Sequence, residues 1–237
     1  FLLSFSLSYL WSAGKALQNH LGFKLLHLKD RIQSVEGLLT KRRVEIPLEK
    51  IQLLDLRIPL IRRWMGYSTL YIETAAYGIA DGEMRRSEGL IPMLPIQNTN
   101  EIIQKIKPQL DLDLFKTTFN KPHGRALYRA VIQGIFRSAI FAGLLYWTFK
   151  ASALSILFFG LIPLSIPIAY LDWQWQGWVL SSTTIATRSG YLNRHIWLLD
   201  REKIQSVHIH QDPFMKIHGL GRVHVRVGGS ELPLPLV

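Results

Sequence analysis

Two groups of side chains in this sequence have the types and spacing to do chemistry. The first is basic: Lys41-Arg42-Arg43, with Arg62-Arg63 about twenty residues further on. Ammonium and guanidinium groups gathered in this way hold phosphate oxygens, and beside an anionic membrane each contributes about 1 kcal/mol. A solvated face that merely follows the charge bias near membranes is the bland alternative. The second group is His208, His210, His218 and His224, of which His208 and His210 would share one face of a strand. A structural zinc site wants four ligands in closed geometry. The positions that match these histidines upstream are Asp55, Arg57, Met65 and Tyr71, so there is no common ligand set. Asp81, Glu83 and Glu88 sit in a polar stretch with no histidine or serine arranged beside them, and the chain has no cysteine. Gly219-x-Gly221 and Gly228-Gly229 read as strand turns rather than a nucleotide fingerprint. No catalytic residue, cofactor or metal is expected. The basic cluster, as an anionic-headgroup site, is the candidate.

The elements that must position these residues occur twice. Gly37–Glu73 lies over Gly190–Arg226 without a gap. The overlay matches Glu49-Lys50-Ile51-Gln52 with Glu202-Lys203-Ile204-Gln205, Gly37 with Gly190, and Gly66 with Gly219. Lys41 meets Arg194, Leu54 meets Val207, and Leu56 meets Ile209. Such self-similarity marks one structural unit used twice. The shared Glu-Lys-Ile-Gln reads as structural, with Ile51 and Ile204 pointing inward and Gln52 and Gln205 satisfying backbone groups beside a bend.

Between the copies lies a block almost free of charge. From Ser138 to Thr187 the only acid or base residues are Lys150 and Asp172, although the chain as a whole carries a net charge of +11. A nucleic-acid binder could share that charge, but the apolar block and the aromatics argue for a membrane protein instead. Val131–Phe149 and Ala151–Leu171 are each near the length that crosses a bilayer, which predicts a transmembrane hairpin over 131–171. Arg137 lies inside the first stretch, so it snorkels or the span begins later. Pro163 and Pro167 predict a kink in the second. Tyr146 and Trp147 at one boundary, and Trp173, Trp175 and Trp178 at the other, suit an interfacial aromatic belt. Arg125, Arg129 and Arg137 crowd one end of the hairpin while Lys150 alone marks its tip, so both copies are expected on the cytoplasmic side.

The organisation follows. Residues 1–20, apolar from Phe1, read as the end of a preceding transmembrane helix and a linker, and both ends of the chain look cut. Residues 21–110 form a first β-rich domain of short alternating runs. A helix with Ile102, Ile103 and Ile106 on one face closes it, capped by Asn100 and ended by Pro108. Residues 111–130 are a basic connector. Residues 177–237 repeat the β-rich plan, with the counterpart of the closing helix missing.

Gly-hydrophobic-Leu-x-Arg/Lys, then Ile-Pro-Leu-Glu-Lys-Ile-Gln, then a glycine before a strand, resembles the bacterial pleckstrin-homology-like (PH-like) family of membrane-flanked domains (the YdbS/YdbT-like proteins). Ser189-Gly190-Tyr191-Leu192-Asn193-Arg194 followed by Glu202-Lys203-Ile204-Gln205-Ser206-Val207 is the nearest stretch. The resemblance implies an α+β membrane protein in which two small PH-like domains flank a two-helix transmembrane hairpin, each domain built of two bent antiparallel sheets. It implies no active site. The expected role is a scaffold or binding protein at the inner face of a bacterial cell membrane, passing through it more than once. The expected partners are the lipid bilayer, anionic headgroups, a second copy or another membrane protein, and no nucleic acid.

Overall fold

The computed structural model describes residues 23–37, 41–74, 88–110, 112–148, 158–228 and 230–235. The reading of residues 1–20, and Asp81 and Glu83, lie outside them.

The first repeat folds as β1 (Lys24–His27), β2 (Arg31–Glu36) and β3 (Arg42–Pro47), then a 3₁₀ turn over Leu48–Lys50. It continues with β4 (Ile51–Pro59), α1 (Leu60–Trp64), β5 (Tyr67–Thr74), β6 (Glu88–Pro95) and α2 (Thr99–Ile106). After the connector come α3 (Gly124–Thr148) and α4 (Leu161–Trp175). The second repeat is β7 (Gly177–Leu180), β8 (Thr184–Ser189), β9 (Asn193–Asp200), a 3₁₀ turn over Arg201–Lys203 and β10 (Ser206–His210). It ends with α5 (Pro213–Ile217), β11 (Arg222–Val227) and β12 (Ser230–Pro233).

The sequence repeat is therefore a structural one. β1 and β7, β2 and β8, the two 3₁₀ turns, and α1 and α5 each begin and end at positions 153 residues apart. The short helices α1 and α5 are not foreseen by the sequence reading, because five residues hold too little periodicity to register. The glycines are matched too. Gly37 and Gly190 turn with φ of 99° and 75°, and Gly66 and Gly219 end the short helices with φ of 79° and 63°. A side chain at Gly190 would put its Cβ 2.2 Å from the Asn193 carbonyl oxygen, so only glycine fits.

Each repeat has two three-stranded units, but the molecule has three sheets rather than four. β1-β2-β3 and β10-β11-β12 stand alone, while β6-β5-β4 and β9-β8-β7 join into one six-stranded antiparallel sheet through β4 and β9. Its two faces serve different cores. Leu54, Leu56, Ile196 and Leu198 pack with Ile32 and Ile46 of the first repeat and with Ile103 and Ile106 of α2. Leu53, Ile185 and Leu199 pack with Val225, Val227 and Leu232 of the second. The connector is not loose: Leu110, Leu112, Leu114 and Phe119 lie in the first core and help cover the outer side of β8 and β9.

Asn100 does not cap α2. It sits inside the first turn, where its amide donates to Asp113 (2.5 Å) and its oxygen accepts from the Leu114 amide, fastening helix to connector.

Of the two expected spans, α3 is the one helix among the described residues long and apolar enough to cross a membrane. At 25 residues it extends about 37 Å, against a hydrocarbon core of about 30 Å. The second expected span, Ala151–Leu171, falls partly outside the described residues. What is described is α4, 15 residues long, packed along α3 with Gly134 against Ser165 and Tyr146 edge-on to Phe159. α3 runs unbroken through Arg137. Phe136, Phe141, Leu144 and Trp147 of α3 and Leu164, Ile166 and Ile168 of α4 are exposed, a wide apolar surface that suits lipid rather than water.

Candidate functional site

The joint between the repeats is where the structure spends its buried polar groups. β4 and β9 pair from Leu53 opposite Leu199 to Pro59 opposite Asn193. On one face Asp55, nearly fully buried, takes Arg57 Nε at 2.6 Å and lies 3.4 Å from His195 Nδ1. Arg57 covers the ring of Tyr71, and His195 stacks on Trp197.

At one end of the joint, the repeated Glu-Lys-Ile-Gln segments meet each other. Lys203 of the second copy donates from Nζ to the Glu49 and Ile51 carbonyl oxygens of the first, both at 2.7 Å. Ile51 is fully buried, and Ile204 packs against the second core. The Gln205 side chain is exposed, so the backbone groups at this bend are met by the lysine and not by that glutamine. Just past α2, Lys107 buries its ammonium against Asp200 at the end of β9, Nζ to Oδ2 2.5 Å. Burial pulls the Lys107 pKa down, and the Asp200 carboxylate acts against that fall.

At the other end, arginines and aromatic rings alternate. Arg188 lies over Phe119 and Trp175, Arg194 over Trp175 and Tyr191, and Arg63 over Tyr191. Arg63 also donates to the Tyr191 carbonyl oxygen at 3.1 Å. Burial lowers the pKa of Arg188, and burial followed by the Arg63 charge lowers that of Arg194. This stack ties the end of α4 to both repeats, and Trp175 is a structural member of it rather than part of a lipid-facing belt. The base of α3 is pinned to the second repeat as well: the buried Arg129 donates to Asp212 at 2.6 Å, and Arg125 to the His218 carbonyl oxygen at 2.9 Å.

The residues singled out from the sequence fall into separate places. Lys41 and Arg43 are exposed on and beside β3, where Arg43 pairs with Glu45 at 2.8 Å. Arg62 is engaged by the Thr69 hydroxyl and the Pro92 carbonyl oxygen. With Arg63 spent on Tyr191, the α1 arginines serve packing between elements, and Lys41 and Arg43 keep exposed positions. Arg42 lies in β3. Of the histidines, His208 stands opposite His224 across β10 and β11, His210 stands opposite Arg222, and His218 meets Tyr128 edge-on. Among the described residues no group of three or more histidine, aspartate or glutamate side chains is placed to hold a metal ion.

What the sequence reading missed is the fusion of the two domains. One signal was present: the overlay sets Arg43 and Glu45 of β3 against Ile196 and Leu198 of β9. An edge strand that meets water carries charge, and one that is covered does not.

Fold and joint together define a pair of β-rich units that share a six-stranded sheet, joined through a helix that could span a membrane, with a closing helix described in the first. Comparison with known proteins agrees: the bacterial PH domain family matches residues 1–110 and again 130–237, and the chain belongs to that family. It is similar to the UPF0699 transmembrane protein YdbT of Bacillus subtilis (strain 168), 22% identical over 231 residues, covering 94% of this chain and 44% of that protein. The chain thus spans less than half the length of this relative. No solved structure matches the chain.

Proposed function

We propose that this chain is a non-catalytic membrane scaffold, which holds two PH-like domains as one rigid body at the cytoplasmic face of a bacterial membrane and offers β10 for docking. Both domains stand at the same end of the helix pair, because the connector before α3 and the start of β7 are bridged by Asn120 and Trp178. Arg125 and Arg129 gather at that end, which is the charge pattern of a cytoplasmic boundary. α4, packed back along α3, brings the chain to that same end again.

The observation that carries the reading is the state of β10. Among the described residues it is an edge strand, paired with β11 alone, and its Val207 and Ile209 are 55% and 73% exposed. Their counterparts in the first repeat, Leu54 and Leu56, are fully buried beside β9. The occupant of β10 is therefore a strand of another PH-like domain with the apolar alternation of β9, added as β9 is added to β4. β3 of a second copy is a poorer fit, since it would set Glu45 and Arg43 against Val207 and Ile209.

The test uses the full chain in nanodiscs and a labelled peptide with the sequence of Asn193–Asp200. Saturable binding that Ile209→Lys weakens at least tenfold is expected. Absence of saturable binding, or equal binding by Ile209→Lys, would overturn the docking role.

A further inference from the structure

Arg137 has no part in the joint or in the edge, yet it lies within the helix that is long and apolar enough to cross a membrane. An ionisable residue in such a place marks a site by default. Two adjoining clefts meet at it. The first, about 280 Å³, lies where α3 and α4 enter the second repeat and is walled by Arg129, Arg137, Arg222, Gln133, Gln176 and Asp172. The second, about 530 Å³, shares Arg137 and Asp172 with the first and is mostly apolar beyond them, with Gly134, Phe141, Ile168 and Ala169 along it and the hydroxyls of Ser138 and Ser165 between. A polar chamber thus opens into an apolar groove between two helices, which is the shape of an amphiphile.

Charge decides which amphiphile. Arg129 is neutralised by Asp212, but its Nε is buried without a partner. Asp172 spends one oxygen on the Tyr191 amide (2.9 Å) and the other on Gln176 (2.8 Å). Arg137 donates Nε to the Gln133 carbonyl oxygen at 3.2 Å, and among the described residues the rest of its guanidinium is free for a ligand. Three guanidiniums against the carboxylates of Asp172 and Asp212 leave the chamber one positive charge in excess, the complement of a single phosphodiester.

We propose that this site binds one anionic glycerophospholipid, its phosphate between Arg137 and Arg222 and an acyl chain in the groove beside Phe141 and Ile168. The proposal rests on α3 and α4 lying in the bilayer, and basic pockets at the cytoplasmic ends of spanning helices suit anionic headgroups. It is separate from the edge of β10 and from the exposed charges on β3.

The full chain would be purified in mild detergent, exposed to an equimolar mixture of phosphatidylglycerol and phosphatidylethanolamine, and examined by native mass spectrometry. One retained phosphatidylglycerol per chain is expected, with at least tenfold preference over phosphatidylethanolamine. Arg137→Gln with Arg222→Gln should abolish the preference. Among the described residues neither arginine has a carboxylate partner, so the double variant should match the parent in lipid-free melting temperature. Alkaline carbonate extraction tests the anchoring separately: release of the parent chain would refute the membrane placement itself. Equal retention of the two lipids, or an unchanged preference in a folded double variant, would overturn the site. Displacement of the lipid by millimolar inorganic phosphate would assign the chamber to a soluble anion and also overturn it.

Discussion

Strands β4 and β10 hold the same place in their repeats. Each follows a 3₁₀ turn that contains Glu-Lys, and each pairs on one side with the strand that leaves a short helix. On the other side they part. β4 is joined by β9 and covered, whereas β10 is open. β9 and β3 show the converse: β9 is interior to a sheet, and β3 is an edge that carries Arg43 and Glu45 where β9 carries Ile196 and Leu198. The comparison teaches that one domain sequence serves two environments by exchanging a few side chains on one strand. An edge left to water is guarded by charge, and an edge meant for a partner is apolar. β10, apolar and uncovered, has the composition of the second kind and the surroundings of the first.

The largest way to break this comparison is to turn β9 into β3. Ile196→Arg with Leu198→Glu installs the guarded edge inside the six-stranded sheet, where burying two charges costs several kcal/mol even when they pair with each other. The domains should come apart, and limited proteolysis should then cut within the connector (112–123), which should resist cleavage in the parent. Next in size is Asp200→Ala, which leaves the Lys107 ammonium buried without its counter-charge. A loss of about 3–5 kcal/mol is expected in denaturant unfolding. Leu56→Ala and Ile209→Ala sharpen the contrast at one repeat position: the first should cost about 2–5 kcal/mol, and the second should stay within about 0.5 kcal/mol. The smallest effect concerns the connector. The Phe115 amide first, then the Asn100 side chain and the Lys116 amide, hold the Asp113 carboxyl below its ordinary value of 3.8. Below that ordinary value the unfolded chain binds more protons. The stability Asp113 contributes is therefore present at neutral pH and lost as pH falls through the lowered value. Asp113→Asn should lower the melting temperature slightly at pH 7 and change little in acid, which flattens the acid limb of the profile.

Much of the fold was legible because it is local. Alternation, turn glycines and the repeat itself locate the strands, and Gly37, Gly66, Gly190 and Gly219 all fall at positive-φ turns. α1 and α5 were hidden by their length. Asn100 was misread because a residue competent to cap can equally serve a partner distant in sequence, here Asp113. The joint was illegible for a deeper reason. Lys107 meets Asp200, and Lys203 meets Glu49 and Ile51, across 93 to 154 residues, and no periodicity reports contacts at that range. For the candidate sites, charge pattern located the arginines but not their uses. Arg62 and Arg63 turned inward, and Arg137, a lone oddity in the sequence, opened onto a chamber.

The central claim is that β4 and β9 form one ladder. The chain has no cysteine, so a designed pair reports without interference. Leu54 and Leu198 face each other across the joint, at a separation that suits a disulfide. Leu54→Cys with Leu198→Cys should oxidise to a single intrachain bridge, with no thiol left to alkylate after denaturation. The equivalent pair by the repeat, Val207→Cys with Glu45→Cys, should leave both thiols free. Free thiols in the first pair, or a bridge in the second, would contradict the shared sheet.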